Sequence, residues 1–307
     1  MTILLAIGAI IIGVLLLHFG GEKLLHSSIT VARGLGLSNL IIGIFVVAVA
    51  TSMPEVLTSV IAQFQGMPGD IAMGNVLGSN IANISLVLGI SLLISPCKLT
   101  KEIRLREMAF MMIALLLIIG LMWIGPITFR RSLLLVVALA GYLLFHYFEA
   151  RKTRKPRCPK VAYLKESLLI LIATVLLFVG ARCLLYGAVK IATMFGIPAR
   201  VISLTLIALG TSLPELATAI AAARRGEEEV VLGNVVGSNI FNPLLIIPLA
   251  ALVRPIAFSK EMFVQDAPIV LVFTLLLWGM VGFFKELTRY HGMALLLAYF
   301  LYILYLY

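Results

Sequence analysis

Charge is scarce in this chain. Only 12% of its 307 residues are Asp, Glu, Lys or Arg, while 62% are hydrophobic. A soluble domain carries about a quarter charged and about half apolar residues, so a water-soluble globular or disordered protein is excluded. Cysteine is scarce too. Cys97, Cys158 and Cys183 are scattered and odd in number, which suggests neither a disulfide framework nor a thiolate metal centre. The four histidines, His18, His26, His146 and His291, stand apart from every repeated motif. The net charge of +10 is distributed in short clusters between apolar runs, a pattern of membrane topology and not of a nucleic-acid partner.

Long apolar runs, in contrast, recur from end to end. Dividing at charged and Gly/Pro-rich breaks gives about ten spans, at 2–32, 37–62, 70–94, 106–124, 130–150, 164–190, 199–222, 230–252, 266–284 and 290–306. Each is long enough to cross about 30 Å of hydrocarbon. The fold class expected is an all-α polytopic membrane protein. Its first run lacks a basic leader and a small-residue cleavage site, and so reads as a retained helix. The basic stretch RKTRKPRCPK (151–160) separates two sets of five spans. The expected organisation is a first five-helix repeat at 1–150, a basic cytoplasmic linker at 151–163 and a second repeat at 164–307. Placing both termini outside the cell puts 17 of the 24 basic residues in inner loops, as the positive-inside rule favours. The membrane expected is the plasma membrane.

The two halves repeat each other. ATSMPE (50–55) returns as GTSLPE (210–215), and GNVLGSNIAN (74–83) returns as GNVVGSNIFN (233–242), at offsets of 160 and 159 residues. Because each half has an odd number of spans, the second must enter the membrane from the opposite side. Such inverted-topology repeats place their site near the midplane, where broken helices meet.

The motifs carry costly groups. Of fourteen acids, only Glu55 and Glu215 lie deep in apolar spans; the remainder, Glu107 included, read as lying near span ends or in loops. A carboxylate at the bilayer centre costs at least about 3 kcal/mol, and no Lys or Arg lies deep in a span to offset it. Pro54 and Pro214 stand one residue before them and deprive the carbonyls of Ala50 and Gly210 of their usual amides. Such carbonyls are tolerated at depth only where protein or a bound ion satisfies them. Thr51, Ser52 and Glu55 share a helix face, as do Thr211, Ser212 and Glu215, while Ser79 with Asn83 and Ser238 with Asn242 are four apart. Gly74, Gly78, Gly233 and Gly237 allow close helix packing. Carboxylate, hydroxyl, amide and carbonyl oxygens are hard ligands that suit Ca²⁺, Mg²⁺ or Na⁺ and not zinc, copper or iron. Two glutamates would be neutralised by one Ca²⁺ or by two Na⁺, a physical basis for exchange. The competing reading keeps both glutamates protonated as interhelical hydrogen-bond partners.

At these residues the sequence resembles the Ca²⁺/cation antiporter superfamily, in particular the prokaryotic Na⁺/Ca²⁺ exchangers, across nearly its whole length. The resemblance implies Na⁺/Ca²⁺ antiport by alternating access, with alpha-repeat motifs at 48–83 and 208–242. It implies Glu55 and Glu215 as central ligands and Thr51, Ser52, Thr211, Ser212, Ser79 and Ser238 at adjoining Na⁺ positions. Backbone carbonyls of Ala48 and Ala208 would join them, with Asn83 and Asn242 completing the centre. The long first and sixth spans would be the sliding gates. Asn242 is neutral where some relatives, including potassium-dependent exchangers, carry aspartate. H⁺/Ca²⁺ and K⁺-dependent Na⁺/Ca²⁺ exchange are the alternatives. An enzyme is not expected, since no histidine base accompanies the hydroxyls. A channel would use the same oxygens without coupling. No cofactor is expected; the partners are Na⁺ and Ca²⁺ as substrates and membrane lipid, and a working monomer is compatible with the sequence.

Overall fold

The computed structural model describes residues 2–101, 103–153, 161–195 and 208–306. Its helical segments follow the apolar runs: α1 (Thr2–Leu35), α2 (Asn39–Phe64), α3 (Gly69–Ile94), α4 (103–124), α5 (Phe129–Thr153), α6 (Tyr163–Met194), α7 (208–224), α8 (Glu228–Val253), α9 (Met262–Phe283) and α10 (Arg289–Leu306). Residues 199–207 of the seventh run and 154–160 of the basic stretch lie outside the described residues. Eight of these helices are long and apolar enough to cross a membrane, and the fold is a polytopic all-α membrane fold.

The helices form a core and a periphery. α2, α3 and α8 are mostly buried, whereas α1, α5 and α6 present long apolar faces outward. A hydrocarbon solvent makes those outer faces favourable. α1 lies along α6 and also meets α7. Glycine permits the first contact: a Cβ on Gly13 would stand 2.6 Å from the Leu184 amide nitrogen, and one on Gly180 would stand 2.9 Å from that of Leu17. Gly233 and Gly237 likewise let α8 approach α2, since a Cβ at either would come within 3 Å of the backbone of Leu40 or Ile44. Gly74 meets only the end of Met262, and Gly78 has nothing within 4 Å among the described residues.

Equivalent features recur one repeat apart. α2 ends at Gly66 and α7 at Gly226, both left-handed (φ +69° and +68°). In each case the next amide closes the helix onto a carbonyl five residues back: Met67 onto Ala62, and Glu227 onto Ala222. The offset changes from 160 to 159 in the loop just beyond, which is one residue longer in the first half. Wide π-helical turns occupy Asn83–Val87 and Asn242–Ile246, and again Ile103–Glu107 and Met262–Asp266. Two short ribbons tie the loops. β1 (Cys97–Lys98) pairs antiparallel with β2 (Glu286–Leu287), and Ile127 bridges Ile256. Residues 97 and 127 sit at opposite ends of α4, so these counterpart ribbons lie on opposite faces. A pseudo-twofold axis in the membrane plane produces this pattern.

Candidate functional site

The two TS-x-PE segments interrupt their helices. α2 runs as Ala48–Thr51, breaks at Ser52 and resumes as Met53–Phe64; α7 runs as Ala208–Gly210, turns at 211–212 and resumes as Leu213–Arg224. Pro54 and Pro214 each stand in the first turn of the resumed helix, where a missing amide costs nothing. The break therefore falls just before proline, at the serine. Glu55 and Glu215 follow in those first turns, where the helix dipole favours negative charge.

The expected side chains are brought together across the repeats. Glu55 and Glu215 are each 1% exposed. Ser52 donates toward Glu215 Oε1 at 3.2 Å and lies 3.3 Å from Ser238 Oγ. Thr211 and Ser79 lie beside Glu55, outside hydrogen-bond geometry. No basic side chain acts on either carboxylate among the described residues. Thr51, Ser52, Ser79, Asn83, Ser212, Ser238 and Asn242 are buried, and Thr211 is half-buried. The Ala48 carbonyl accepts the Ser52 amide at 2.9 Å, and the Thr51 hydroxyl has one proton to place among the Val47 carbonyl at 3.0 Å, the Ala48 carbonyl at 3.2 Å and Asn234 Oδ1 at 3.2 Å. Ala208 opens the short turn before the second break.

The unpaired atoms carry the chemical information. Both oxygens of Glu55, Oε2 of Glu215, the hydroxyls of Ser79 and Ser212, and Oδ1 of Asn83 and Asn242 are buried without a hydrogen-bond partner. A buried polar atom left so costs about 1–3 kcal/mol, and here all are hard oxygens. The asparagines direct their N–H groups to protein: Asn242 donates to Asn80 Oδ1 at 2.9 Å and Asn83 toward Asn239 Oδ1 at 3.4 Å. Their oxygens are left for something else. No cluster of three or more His, Cys, Asp or Glu able to hold a metal occurs among the described residues. Any cation held here would take neutral oxygens beside two carboxylates.

Four asparagines escaped the sequence reading. Asn75 donates to the Glu55 carbonyl at 3.1 Å and accepts from Thr211 at 3.3 Å; Asn234 donates to the Glu215 carbonyl at 3.4 Å and accepts from Thr51 at 3.2 Å. Each ties one glutamate's backbone to the other repeat's threonine. Asn80 and Asn239 join the central amides as above. Their recurrence within GNVLGSNIAN and GNVVGSNIFN was the available signal. A further correction concerns Glu107, which stands near a helix end as expected but is fully buried. α5 covers it, and it belongs to a separate cluster.

Comparisons with known proteins agree with this architecture. The profile of the family described as sodium/calcium exchanger protein matches residues 5–148 and 165–307. The chain belongs to the sodium/calcium exchanger family. Among relatives, it is 33% identical to the inner membrane protein YrbG of Escherichia coli over 90% of this chain and 89% of that one. It is 28% identical to the sodium/calcium exchanger MaX1 of Methanosarcina acetivorans, over 94% and 95%. A solved structure of the sodium-calcium exchanger NCX_Mj, soaked with Na⁺ and Sr²⁺, superposes with a TM-score of 0.82 at 30% identity, covering 98% of each chain. This exchanger-family chain is thus an integral membrane transporter of the cation/Ca²⁺ antiport type, not an enzyme.

Proposed function

We propose that the chain exchanges Na⁺ for Ca²⁺ across the plasma membrane by alternating access, with Glu55 and Glu215 at the centre of a midplane site. The observation that carries this reading is the set of buried, unpartnered oxygens from both repeats around two uncompensated carboxylates. Ser52, Ser79, Ser212, Ser238, Thr51, Thr211, Asn83 and Asn242, with the carbonyls of Ala48 and Ala208, supply the other ligands. Ca²⁺ takes about six to eight oxygens at flexible geometry, and the two carboxylates can each offer two. One Ca²⁺ or two Na⁺ cancel their charge, so the ions compete for the same two negative charges. With the Thr51 proton on Asn234, the Ala48 carbonyl keeps a lone pair for an ion.

In this reading the repeats are 1–150 and 164–307, joined by the basic linker 151–163, with the motifs at 48–83 and 208–242. Both termini face outward and the linker faces the cytoplasm. The paired α1 and α6 slide across the broken helices, an arrangement supported by the contact of Gly21 in α1 with the Ala217 backbone of α7. Purified protein in liposomes should show Na⁺-gradient-driven ⁴⁵Ca²⁺ uptake that falls to background in Glu55→Gln and Glu215→Gln. Uptake driven by a pH gradient without Na⁺ would assign H⁺ as the coupling ion instead, the alternative that two uncompensated carboxylates also favour. A requirement for K⁺ would assign the potassium-dependent mode.

A further inference from the structure

Two groups with no hydrogen to give set the order of the four central asparagines. Asn80 and Asn83 lie on α3, Asn239 and Asn242 on α8, and all four are buried. Both polar atoms of Asn80 are partnered: Nδ2 donates to the backbone carbonyl of Asn239 at 3.3 Å, and Oδ1 accepts from Asn242 Nδ2 at 2.9 Å. Asn239 is partnered likewise. Its Nδ2 faces the Met111 thioether of α4 at 3.7 Å, and its Oδ1 accepts from Asn83 Nδ2 at 3.4 Å. Of these eight side-chain atoms, only Oδ1 of Asn83 and Oδ1 of Asn242 stay open.

The order starts at a proline. In a helix each carbonyl accepts the amide four residues on. For Asn239 that residue is Pro243, which has no amide, while Ile84 stands at the counterpart position of the first repeat. The caps differ accordingly. The Asn83 amide reaches the carbonyls of Asn80 and Ser79, whereas the Asn242 amide reaches that of Ser238 alone. The Asn239 carbonyl therefore lacks its usual partner, and the Asn80 side chain of the other repeat supplies one.

Donor and acceptor roles then follow in sequence. A carbonyl only accepts, so Asn80 turns its NH₂ group to it and its Oδ1 away. That oxygen also only accepts, so Asn242 turns its NH₂ group toward it and keeps its own oxygen for the exchange site. Met111, a weaker acceptor, orders Asn239 and hence Asn83 in the same sense. Asn242 stands one turn beyond Ser238, which lies on Ser52, the donor to Glu215. An amide free to rotate there would offer N–H groups to the unpaired carboxylate oxygens, and the site would satisfy itself without an ion.

We propose that Asn80 and Asn239 are positioning residues: they fix the polarity of the two central amides, so that an incoming cation meets oxygen and no N–H.

The binding arm of the test rests on the two-glutamate site proposed above, whereas the spectroscopic arm does not. In equilibrium binding of ⁴⁵Ca²⁺ to the purified protein, Asn80→Leu frees Asn242 to rotate. It should raise the half-saturating Ca²⁺ concentration about tenfold, the scale of one hydrogen-bond-sized contact to a charged group. An aspartate at 242 has oxygen at both ends and needs no orienting. In an Asn242→Asp background, Asn80→Leu should therefore shift the half-saturation by less than about twofold. An equal penalty in both backgrounds would assign residue 80 to packing alone and overturn the proposal, as would no penalty in either. Asn239→Leu, measured with and without Asn83→Asp, asks the same of the second pair and serves where Asn80→Leu does not fold. Independently, NMR of side-chain amides in cation-free nanodiscs reads the orientation itself, with Asn242 assigned by the resonance missing in Asn242→Asp. Its NH₂ protons should exchange with solvent faster in Asn80→Leu than in the wild type, and equal rates would also overturn the proposal. A wild type that shows the protected amide yet binds no Ca²⁺ would refute the two-glutamate site and leave the amide order standing.

Discussion

At the residue scale, the site is a matter of which polar atoms are paired and which are not. Asn75 and Asn234 fix the glutamate backbones to the opposite repeat, and this can be measured. Asn75→Ala with Thr211→Val, and Asn234→Ala with Thr51→Val, should show coupling of about 0.5–2 kcal/mol in thermal or denaturant midpoints. The crossed pairs, Asn75 with Thr51 and Asn234 with Thr211, should add independently; equal coupling in all four cycles would refute the assignment. Cys97 offers a second case. Burial, reinforced by Glu228 and Glu286, pushes its thiol up to about 12. A raised thiol is protonated below that value, and the thiolate is the reactive species. In a Cys158→Ser/Cys183→Ser background, maleimide labelling of Cys97 should therefore stay slow at pH 7, 8 and 9 in the folded protein and become fast after unfolding. Rapid labelling at pH 8 before unfolding would contradict the buried placement. The glutamates, hydroxyls and central asparagines were legible because a polar group repeated inside an apolar run needs a reason. Asn75 and Asn80 stood in the same motif, yet their partners lie on other helices, and no spacing along one helix reveals those.

At the element scale, broken helices and close helix pairs set the geometry. Proline announced the breaks, and the structure places them at the preceding serine, where the resumed helix starts with proline in its tolerated first turn. The π-helical turns that begin on Asn83 and Asn242 were not legible. A π turn is unfavourable by itself and is retained only when neighbouring helices hold it, commonly at functional positions. The α1–α6 contact is likewise tertiary, although Gly20 and Gly180 were visible as counterparts. Gly180→Leu should force α1 away from α6, because Leu16 and Leu17 occupy the space. Overpacking of this kind costs about 1–3 kcal/mol. The expected result is a lower thermal midpoint with reduced ⁴⁵Ca²⁺ flux, against an unchanged or higher midpoint in Gly8→Ala, where nothing lies within 4 Å. Equal midpoints in wild type and Gly180→Leu would mean that the two helices are not in contact.

At the scale of the whole molecule, loops that the alternating topology assigns to one side do meet one another. Arg33 and Asn39 reach Glu227, the Lys98 amide donates to Glu228, and Arg225 pairs with Glu22. On the other side the Ser259 amide donates to Asp70 at 2.7 Å. The proposed orientation makes the first group cytoplasmic. Trypsin should cut within 151–160 in inverted vesicles and leave that stretch uncut in right-side-out vesicles; cleavage of it in the reverse pattern would invert the assignment. By itself the sequence determined the membrane solvent, the spans, the two-part repeat and the costly residues at its centre. Each follows from the free-energy cost of polarity in hydrocarbon, which composition and spacing expose directly. Only the tertiary structure decided which oxygens go unpaired, which asparagines lock the repeats together, and that Glu107 is buried beside His146. Those outcomes depend on contacts between residues far apart in the chain, and local pattern carries no record of them.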